Sequence, residues 1–295
     1  MPQLRKGKIE IVGMPLDLGQ DVRGTDVGPT AIRYARVVER LGAQGFEITD
    51  HGNIDVPAFS KVESGQLSQV IAAVNQQLFS LCSDIHSRSS FPLVLGGDHS
   101  AVLGSVAASS FAGRTGLLWV DAHGDFNTPE TSPSGNVHGM PLAALLGRGE
   151  SHLTSLGSEP LRAEDVVLVG VRQLDALERE ALCAANIRVF TMRDIDQRGM
   201  RAVVEEALAL LSHTPRLHLS LDMDALDPND APGVGTPVCG GLTYREAHYL
   251  MEEVAGCGRL VAMDVVEINP MLDLRNQTAV TAVDLILSAL GQRTM

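Results

Sequence analysis

The stretch that decides the fold is Gly116-Leu117-Leu118-Trp119-Val120-Asp121-Ala122-His123-Gly124-Asp125. Its first half is a continuous apolar run, which is typical of a strand covered on both faces of a parallel sheet. Its second half places two carboxylates and an imidazole directly after that strand. Side chains alternate along an extended chain, so we expect Asp121, His123 and Asp125 to point to the same side. Carboxylates and imidazole together suit a divalent cation.

Seven further apolar runs have strand character. They are Ile9–Gly13, Phe46–Thr49, Pro92–Leu95, Val166–Gly170, Ile187–Thr191, Leu217–Leu221 and Leu260–Val265. Helical patterns lie between the strands, among them Pro29–Leu41, Leu67–His86, Val203–Leu211, Thr243–Val254 and Ala279–Leu290. This alternation predicts an α/β fold whose parallel sheet is covered on both sides. A TIM barrel has the same element order, and periodicity alone does not separate the two, but irregular spacing and the long loop Asp125–Gly139 favour an open sheet.

Polar motifs follow five of the predicted strands. They are Gly96-Gly97-Asp98-His99, Asp121–Asp125, Arg172–Asp175, Asp222-Met223-Asp224 and Glu267-Ile268-Asn269-Pro270. Right-handed crossovers bring the carboxyl ends of parallel strands to one sheet edge, where open α/β sheets bind ligands. One edge can therefore gather all five motifs. Because no linker, repeat or low-complexity segment interrupts the pattern, we predict one domain over residues 1–295.

Composition and charge narrow the class of protein. The chain has 36 acidic against 23 basic residues, a formal net charge of −13, which argues against nucleic acid as a partner and favours metals or cationic ligands. No apolar stretch is long enough to span a membrane, and Met1–Lys8 lacks the apolar core of a signal peptide. The four cysteines form no C-x-x-C pair and are expected to be reduced. We therefore predict a cytoplasmic protein that binds neither nucleic acid nor membranes.

Six residues at the strand ends are candidate metal ligands: His99, Asp121, His123, Asp125, Asp222 and Asp224. Any one of them alone is better explained as a turn or cap residue. The set is different, because several carboxylates at one edge repel each other unless a cation or protons neutralise them. Four carboxylates and two imidazoles without a thiolate suit manganese better than a structural zinc site. Two divalent ions would balance the four aspartates, at the roughly 3.5–4 Å separation that activates a water molecule between them.

The order of these motifs resembles the ureohydrolase family, and the similarity to the arginases, of bacterial type, is close. The segments Gly96–Ser100, Asp121–Asp125, Ser220–Asp224 and Met263–Glu267 are similar to the family's metal and active-site segments, and Asn127–Pro141 resembles the loop specific to arginases. The resemblance implies a three-layer αβα sandwich around an eight-stranded parallel sheet, of the arginase/deacetylase type. It also implies assembly as a homotrimer or homohexamer.

The resemblance divides the six ligands between two manganese ions. One ion would be held by His99, Asp121, Asp125 and Asp222, and the other by Asp121, His123, Asp222 and Asp224. The two shared aspartates would bridge the ions. The implied reaction is hydrolysis of L-arginine to L-ornithine and urea by a hydroxide that bridges the two ions.

Three residues receive catalytic roles from the same resemblance. His138 would give a proton to the leaving amine, since imidazole titrates in a suitable range. Asp125 would hydrogen-bond the attacking hydroxide. Glu267 would anchor the guanidinium through a charge-assisted hydrogen bond.

Five more residues are implied substrate contacts. Asn127, Ser134 and Asn136 would donate to the α-carboxylate of the substrate, and Asp175 would accept from its α-ammonium group. Thr236 is assigned equally to a guanidinium contact or to a turn. Each of these residue types is also common in loops without any ligand.

The sequence departs from the family pattern at two positions. Ala225 stands where the family usually has glycine, so a positive φ there would strain the backbone by roughly 1 kcal/mol or more. Gln173 stands where some arginases have aspartate near the substrate amine, which leaves recognition of that amine to Asp175.

Three other functions compete with this interpretation. A sibling ureohydrolase acting on agmatine or another guanidino compound is disfavoured by the loop from Asn127 to Asn136. A deacetylase-like enzyme with one metal ion is disfavoured because His99 and Asp125 complete a second ligand set. A non-enzymatic protein that kept the fold is disfavoured because all six ligand positions are filled.

Overall fold

One parallel sheet organises the computed structural model, which describes residues 7–157 and 159–293. Its strands are β1 Lys8–Met14, β2 Glu47–Asn53, β3 Phe91–Gly96, β4 Thr115–Val120, β5 Val166–Val171, β6 Arg188–Thr191, β7 Arg216–Asp222 and β8 Leu260–Val266. They are hydrogen-bonded in the order β2-β1-β3-β8-β7-β4-β5-β6, and every neighbouring pair is parallel. The eight predicted strands are confirmed, and the sheet is open rather than closed into a barrel.

Helices cover both faces of this sheet. They are α1 Gly28–Tyr34, α2 Val37–Ala43, α3 Leu67–Ser87, α4 Leu103–Phe111, α5 Pro141–Leu145, α6 Ser151–Thr154, α7 Ala176–Ala184, α8 Met192–Arg198, α9 Met200–Leu210, α10 Tyr244–Gly256 and α11 Gln277–Ala289. Helices α1, α2 and α8 to α11 pack into one hydrophobic core, and α3 to α7 pack into the other. The predicted three-layer αβα sandwich is therefore confirmed.

Strand β4 shows how the sequence produces these layers. Leu118 and Val120 belong to one core, while Leu117 and Trp119 belong to the other, and all four are almost completely buried. Complete burial of such side chains stabilises the fold by roughly 1.5–3 kcal/mol each. A strand with apolar residues on both faces must lie inside the sheet, which places its carboxyl end in the middle of the sheet edge.

The single helix predicted at Pro29–Leu41 is wrong, because the structure has two helices there. Arg36 adopts a left-handed φ of 67°, and the amides of Ala35 and Arg36 close the first helix by bonding back to carbonyls of that helix. Ile32 and Leu41 still reach the same core on either side of the break. The apolar periodicity therefore continued through the break and did not indicate it.

The structure tests the predicted absence of a signal peptide and of a membrane-spanning segment only in part. Residues 1–6, which carry most of the expectation of no signal peptide, lie outside the described residues. Among the residues that are described, no helix is both long enough and apolar enough to cross a membrane.

Candidate metal centre and active site

The carboxyl ends of β3, β4 and β7 are built by the same local turn. In each, an aspartate accepts a hydrogen bond from the backbone amide two residues later, a geometry that short acidic side chains favour. The pairs are Asp98 with Ser100 at 3.0 Å, Asp121 with His123 at 2.7 Å and Asp222 with Asp224 at 2.7 Å. Because β3, β8, β7 and β4 are neighbours in the sheet, these turns meet at one edge.

The predicted strand alternation through Asp121–Asp125 is wrong in detail. Strand β4 ends at Val120, and Asp125 has a left-handed φ of 49°. Its carbonyl accepts the amide of Leu142 at 3.0 Å, which holds the turn in place. The side chains still converge, but a turn brings them together rather than an extended strand. A non-glycine residue held in this conformation costs about 1–3 kcal/mol, and such strain is concentrated at functional sites.

The first ligand group surrounds His99. Its Nδ1 atom lies 3.1 Å from Oδ2 of Asp121, 2.9 Å from Oδ2 of Asp125 and 3.1 Å from Oδ2 of Asp222. The imidazole is 1% exposed, and Nδ1 makes no hydrogen bond of acceptable geometry among the described residues. Its Nε2 atom pairs with Ser220 Oγ at 3.0 Å. The free nitrogen and three carboxylate oxygens therefore face a common point, as the ligands of a cation do.

The second ligand group lies next to the first. Nδ1 of His123 is 3.1 Å from Oδ2 of Asp224 and 3.5 Å from Oδ1 of Asp121. Asp121 thus directs one oxygen to each imidazole. His99, Asp121 and Asp222 form one group with metal-binding geometry, and Asp121, His123 and Asp224 form another.

Electrostatics shows that this site fits a divalent cation. Burial, together with the charge of Asp121, raises the pKa of Asp125 to about 6. Burial, together with the charges of Asp224 and Asp121, raises the pKa of Asp222 well above its usual value. Carboxyl groups this close together resist ionisation unless a positive charge compensates them. An oxygen-rich set with imidazole and no thiolate suits manganese or a similar hard ion.

Trp119 contacts two candidate ligands, and the sequence reasoning missed it. Its ring stacks on His99 with centroids 4.0 Å apart and an interplanar angle of 12°. Its Nε1 donates to Oδ2 of Asp121 at 2.9 Å. One buried side chain thus orients two candidate ligands. The available signal was its position two residues before Asp121, on the same face of the strand.

Glu267 lies behind the ligand groups and connects them to His138. Its Oε1 accepts the backbone amide of His99 at 2.8 Å and Nδ1 of His138 at 3.1 Å. Its Oε2 accepts Nε2 of Gln20 at 3.1 Å. Glu267 is 1% exposed and has a left-handed φ of 64°. Although burial alone would raise its pKa, the hydrogen bond and charge of His138 lower the pKa below its usual value.

Gln20 gives the early loop after β1 a role that the sequence did not suggest. Its amide nitrogen donates to Glu267 and also to Thr25 Oγ1 at 3.1 Å. The amide of His138 donates to the carbonyl of Gly19 at 3.0 Å. This loop therefore holds both Glu267 and His138 from one side.

A cavity of about 120 Å³ opens onto these groups. Its wall includes the predicted residues Asn127, Ser134, Asn136, His138, Asp175 and Thr236, together with His123, Asp125, Asp222 and Asp224. Ser132, Gln173 and Glu178 also line it. Of the residues with predicted roles, His99, Asp121 and Glu267 are not part of this wall; His99 and Asp121 belong to the candidate ligand groups, and Glu267 contacts His138.

The far end of the cavity is held together by Asp175 and Glu178. Asn127 Nδ2 donates to Asp175 Oδ2 at 3.0 Å, and Glu178 accepts the amides of Phe126 at 2.9 Å and Asp175 at 3.3 Å. Burial raises the pKa of Glu178 to about 7. The sequence reasoning missed Glu178, although the spacing Asp-x-x-Glu at the start of α7 is a known helix-start signal.

The structure bears on two questions that the sequence left open, the backbone strain at Ala225 and the role of Thr236. Ala225 ends the short 3₁₀ turn Met223–Ala225 and does not have a positive φ, so the expected strain is absent. Thr236 Oγ1 donates to Oδ2 of Asp224 at 3.0 Å, which brings Thr236 against a candidate ligand. His218, on β7, is bonded to Asp264 at 2.6 Å and to Ser109 at 2.8 Å.

Comparison with known proteins identifies the family. A sequence model described as the arginase family matches residues 7–291. The chain belongs to the arginase family. It is 48% identical over 294 residues to the arginase of Brevibacillus brevis, across 97% of this chain and 99% of that protein.

Solved structures of the arginase family confirm the fold. The arginase of Bacillus subtilis subsp. subtilis str. 168 superimposes with a TM-score of 0.94 at 46% identity, over 98% of this chain and all of that one. The native arginase of Bacillus caldovelox gives a TM-score of 0.93 at 46% identity with the same coverage. The resemblance to bacterial arginases predicted from the sequence is thereby confirmed.

Proposed function

We propose that the chain hydrolyses L-arginine to L-ornithine and urea with two manganese ions per subunit. The proposal rests on the geometry of Asp121, whose carboxylate directs one oxygen to His99 and the other to His123. A carboxylate shared in this way is what two adjacent cations require. Membership of the arginase family supports the same reaction.

Six residues would hold the two ions. His99, Asp121, Asp125 and Asp222 would hold one, and Asp121, His123, Asp222 and Asp224 would hold the other. When bound, the ions lower the pKa of a water molecule to near neutrality and so supply the nucleophile.

The chain's own residues prepare the guanidinium for attack. Glu267, whose lowered pKa keeps it ionised, anchors the cationic guanidinium through charge-assisted hydrogen bonds. Asp125 faces the cavity and accepts a hydrogen bond from the nucleophile. Thr236, which also lines the cavity, offers a further contact to the guanidinium.

His138 supplies the proton that the leaving amine needs. Burial alone would lower its pKa, but the hydrogen bond and charge of Glu267 raise the pKa to about 9. The imidazole is therefore protonated at neutral pH and can act as a general acid. Its position in the cavity wall supports this role.

Recognition of the amino-acid end is assigned to the outer wall of the cavity. Asn127, Ser134 and Asn136 offer donors to the α-carboxylate. Asp175 accepts from the α-ammonium group. Agmatine lacks the α-carboxylate, so these neutral donors favour L-arginine over agmatine.

A comparison of the two substrates tests this specificity. Urea release by the manganese-loaded protein should have a much higher kcat/KM for L-arginine than for agmatine. Changing Asn136 to alanine should raise KM for L-arginine and leave that for agmatine nearly unchanged. If agmatine is the better substrate of the unchanged protein, the chain is an agmatinase instead.

We further propose that residues 1–295 form one catalytic domain that assembles as a homotrimer or homohexamer in the cytoplasm. The match of the family model to residues 7–291 supports one domain, and the family resemblance supports the assembly. The four free cysteines are consistent with a reducing compartment. Light scattering should give a mass three or six times that of the chain, whereas a monomer would contradict the assembly.

A further inference from the structure

Arg172 stands directly after β5, beside the ligand turns of β4 and β7. Its backbone amide donates to the carbonyl of Ala122 at 2.8 Å, between two candidate ligands. Its guanidinium donates to the carbonyl of Asp224 at 2.7 Å. One residue therefore joins the two turns that carry the His123 and Asp224 ligands.

The guanidinium binds backbone carbonyls of three segments. Its acceptors are the carbonyls of Val238 at 2.6 Å, Asp224 at 2.7 Å, Ala225 at 3.1 Å, Leu226 at 3.2 Å and Gly170 at 3.4 Å. A side chain on Gly241 would lie 2.7 Å from Nη2, so the absence of one there makes room for this arrangement. Only a planar fork of five donors can serve so many acceptors, and a lysine ammonium cannot.

Arg172 also supplies a permanent positive charge where negative charges collect. Among the neighbouring carboxylates, Asp224 acts on it most strongly, ahead of Asp121, Asp227 and Asp222, and Asp224 belongs to the His123 half alone. The hydrogen bonds of Arg172 described above go to carbonyls, so the guanidinium compensates the repulsion between these carboxylates without occupying their oxygens. The carboxylates stay free to bind a metal ion.

The two ligand groups are supported differently. His99 is held by the Trp119 ring, by Ser220 and by the Glu267 carboxylate. The Arg172 side chain holds the carbonyls of Asp224, Ala225 and Leu226, in the turn that carries a candidate ligand of the second group alone. Loss of the Arg172 contacts should therefore affect one half of the site more than the other.

We propose that Arg172 is a positioning residue that sets the affinity of the His123–Asp224 half of the site for its metal ion. It keeps this half formed before metal arrives and has little influence on the His99 half. The inference rests on the two-ion site of the proposed function.

Manganese titration of the metal-free, full-length protein tests the inference. Free Mn²⁺ is followed by electron paramagnetic resonance while protein is added, so binding is read without any assay of activity. For Arg172→Lys and Arg172→Gln, one of the two binding steps should weaken by roughly 10–100-fold, as expected when a group supporting metal ligands is lost. The other step should stay within about twofold. His123→Asn assigns the weakened step, since it removes a ligand of this half alone.

Arg259→Lys is the matched control. Arg259 also donates to backbone carbonyls, those of Leu211 at 2.6 Å, Thr214 at 2.9 Å and Leu208 at 3.2 Å, but it precedes β8 and lies at the opposite end of the strands from the ligand turns. Its variant should bind two ions as the unchanged protein does. If Arg259→Lys loses the same step, or if both steps weaken equally in the Arg172 variants, the positioning role is wrong.

A measurement on the unchanged protein avoids any failure of the variants to fold. Amide hydrogen exchange of segment 223–227 should be nearly as slow in the metal-free protein as in the manganese-loaded one, because the Arg172 guanidinium already fixes the carbonyls of Asp224, Ala225 and Leu226 and so keeps the turn closed. Fast exchange that slows only when manganese is added would overturn the inference. If the unchanged protein binds fewer than two ions, the proposed function fails instead, so the two failures are distinguishable.

Discussion

We expect kcat to fall at alkaline pH, and this alkaline limb of the pH profile should disappear when His138 is changed to asparagine. Nδ1 of His138 lies 3.1 Å from Oε1 of Glu267. Burial alone would lower the pKa of this imidazole, but the hydrogen bond and charge of Glu267 raise the pKa to about 9. The proton donor is the protonated form, so its role is complete at neutral pH and is lost as the pH rises through about 9. Above that pH, kcat should fall about tenfold per pH unit.

Asparagine removes the titrating group while keeping a polar side chain of similar size. Loss of a general acid lowers turnover by roughly 100–10,000-fold, and the remaining rate should lack the fall above pH 9. The assay is initial urea release at saturating L-arginine from pH 7 to 11, with the bound manganese measured at each pH. Manganese content should match that of the unchanged protein, because His138 is not among the proposed ligands.

His152→Asn is a suitable control for this experiment. His152 also lies next to a glutamate, with Nε2 2.7 Å from Oε2 of Glu150, but it sits on α6 outside the cavity. Its variant should keep both the rate and the alkaline limb. The reasoning about His138 is refuted if its asparagine variant keeps most of the wild-type turnover. It is also refuted if the limb persists unchanged, since that limb would then belong to another group such as the α-ammonium of the substrate.

Two further changes test other parts of the site, and a third tests a buried pair in the core. Asp121→Asn should lower the manganese retained after dialysis by roughly tenfold or more, because both ligand groups lose an oxygen; retention of two ions would contradict the shared-ligand assignment. Gln20→Met removes the donor 3.1 Å from Oε2 of Glu267, and since hydrogen bonds to charged groups contribute about 1.5–3 kcal/mol, KM for L-arginine should rise about tenfold or more with manganese content unchanged. An unaltered KM would show that Gln20 does not orient the carboxylate. His218→Leu leaves the buried Asp264 carboxylate without its 2.6 Å partner, which should cost about 3–5 kcal/mol of unfolding free energy in urea denaturation; replacing both residues by leucine should cost much less, and equal losses would contradict the pairing.

The fold could be predicted from the sequence because the strands inside the sheet are buried on both faces. Runs such as Gly116–Val120 and Val166–Gly170 contain no polar side chain, as expected of strands in the middle of a parallel sheet. The break between α1 and α2 was not readable, because the apolar positions on either side of Arg36 face the same core and keep their spacing.

The grouping of the candidate ligands at one sheet edge could be predicted because each of them is a carboxylate or imidazole placed just after a strand. The residues that hold these candidate ligands in place could not be predicted, because they do so through side-chain contacts between positions far apart in the sequence. Gln20 meets Glu267 across 247 positions, and Arg172 meets Val238 across 66. Spacing within one segment carries no information about such contacts. Trp119 was the exception, since its position two residues before Asp121 placed both side chains on one face.

The central claim is that two manganese ions, held by a shared Asp121, enable the hydrolysis of L-arginine. The most direct test is to titrate manganese into metal-free protein and to measure bound metal, urea and ornithine together. The account predicts no urea without metal, equal amounts of urea and ornithine, and full activity at two ions per chain. Urea release in the presence of a chelator, activity complete at one ion per chain, or no urea with two ions bound from neutral to alkaline pH would contradict it.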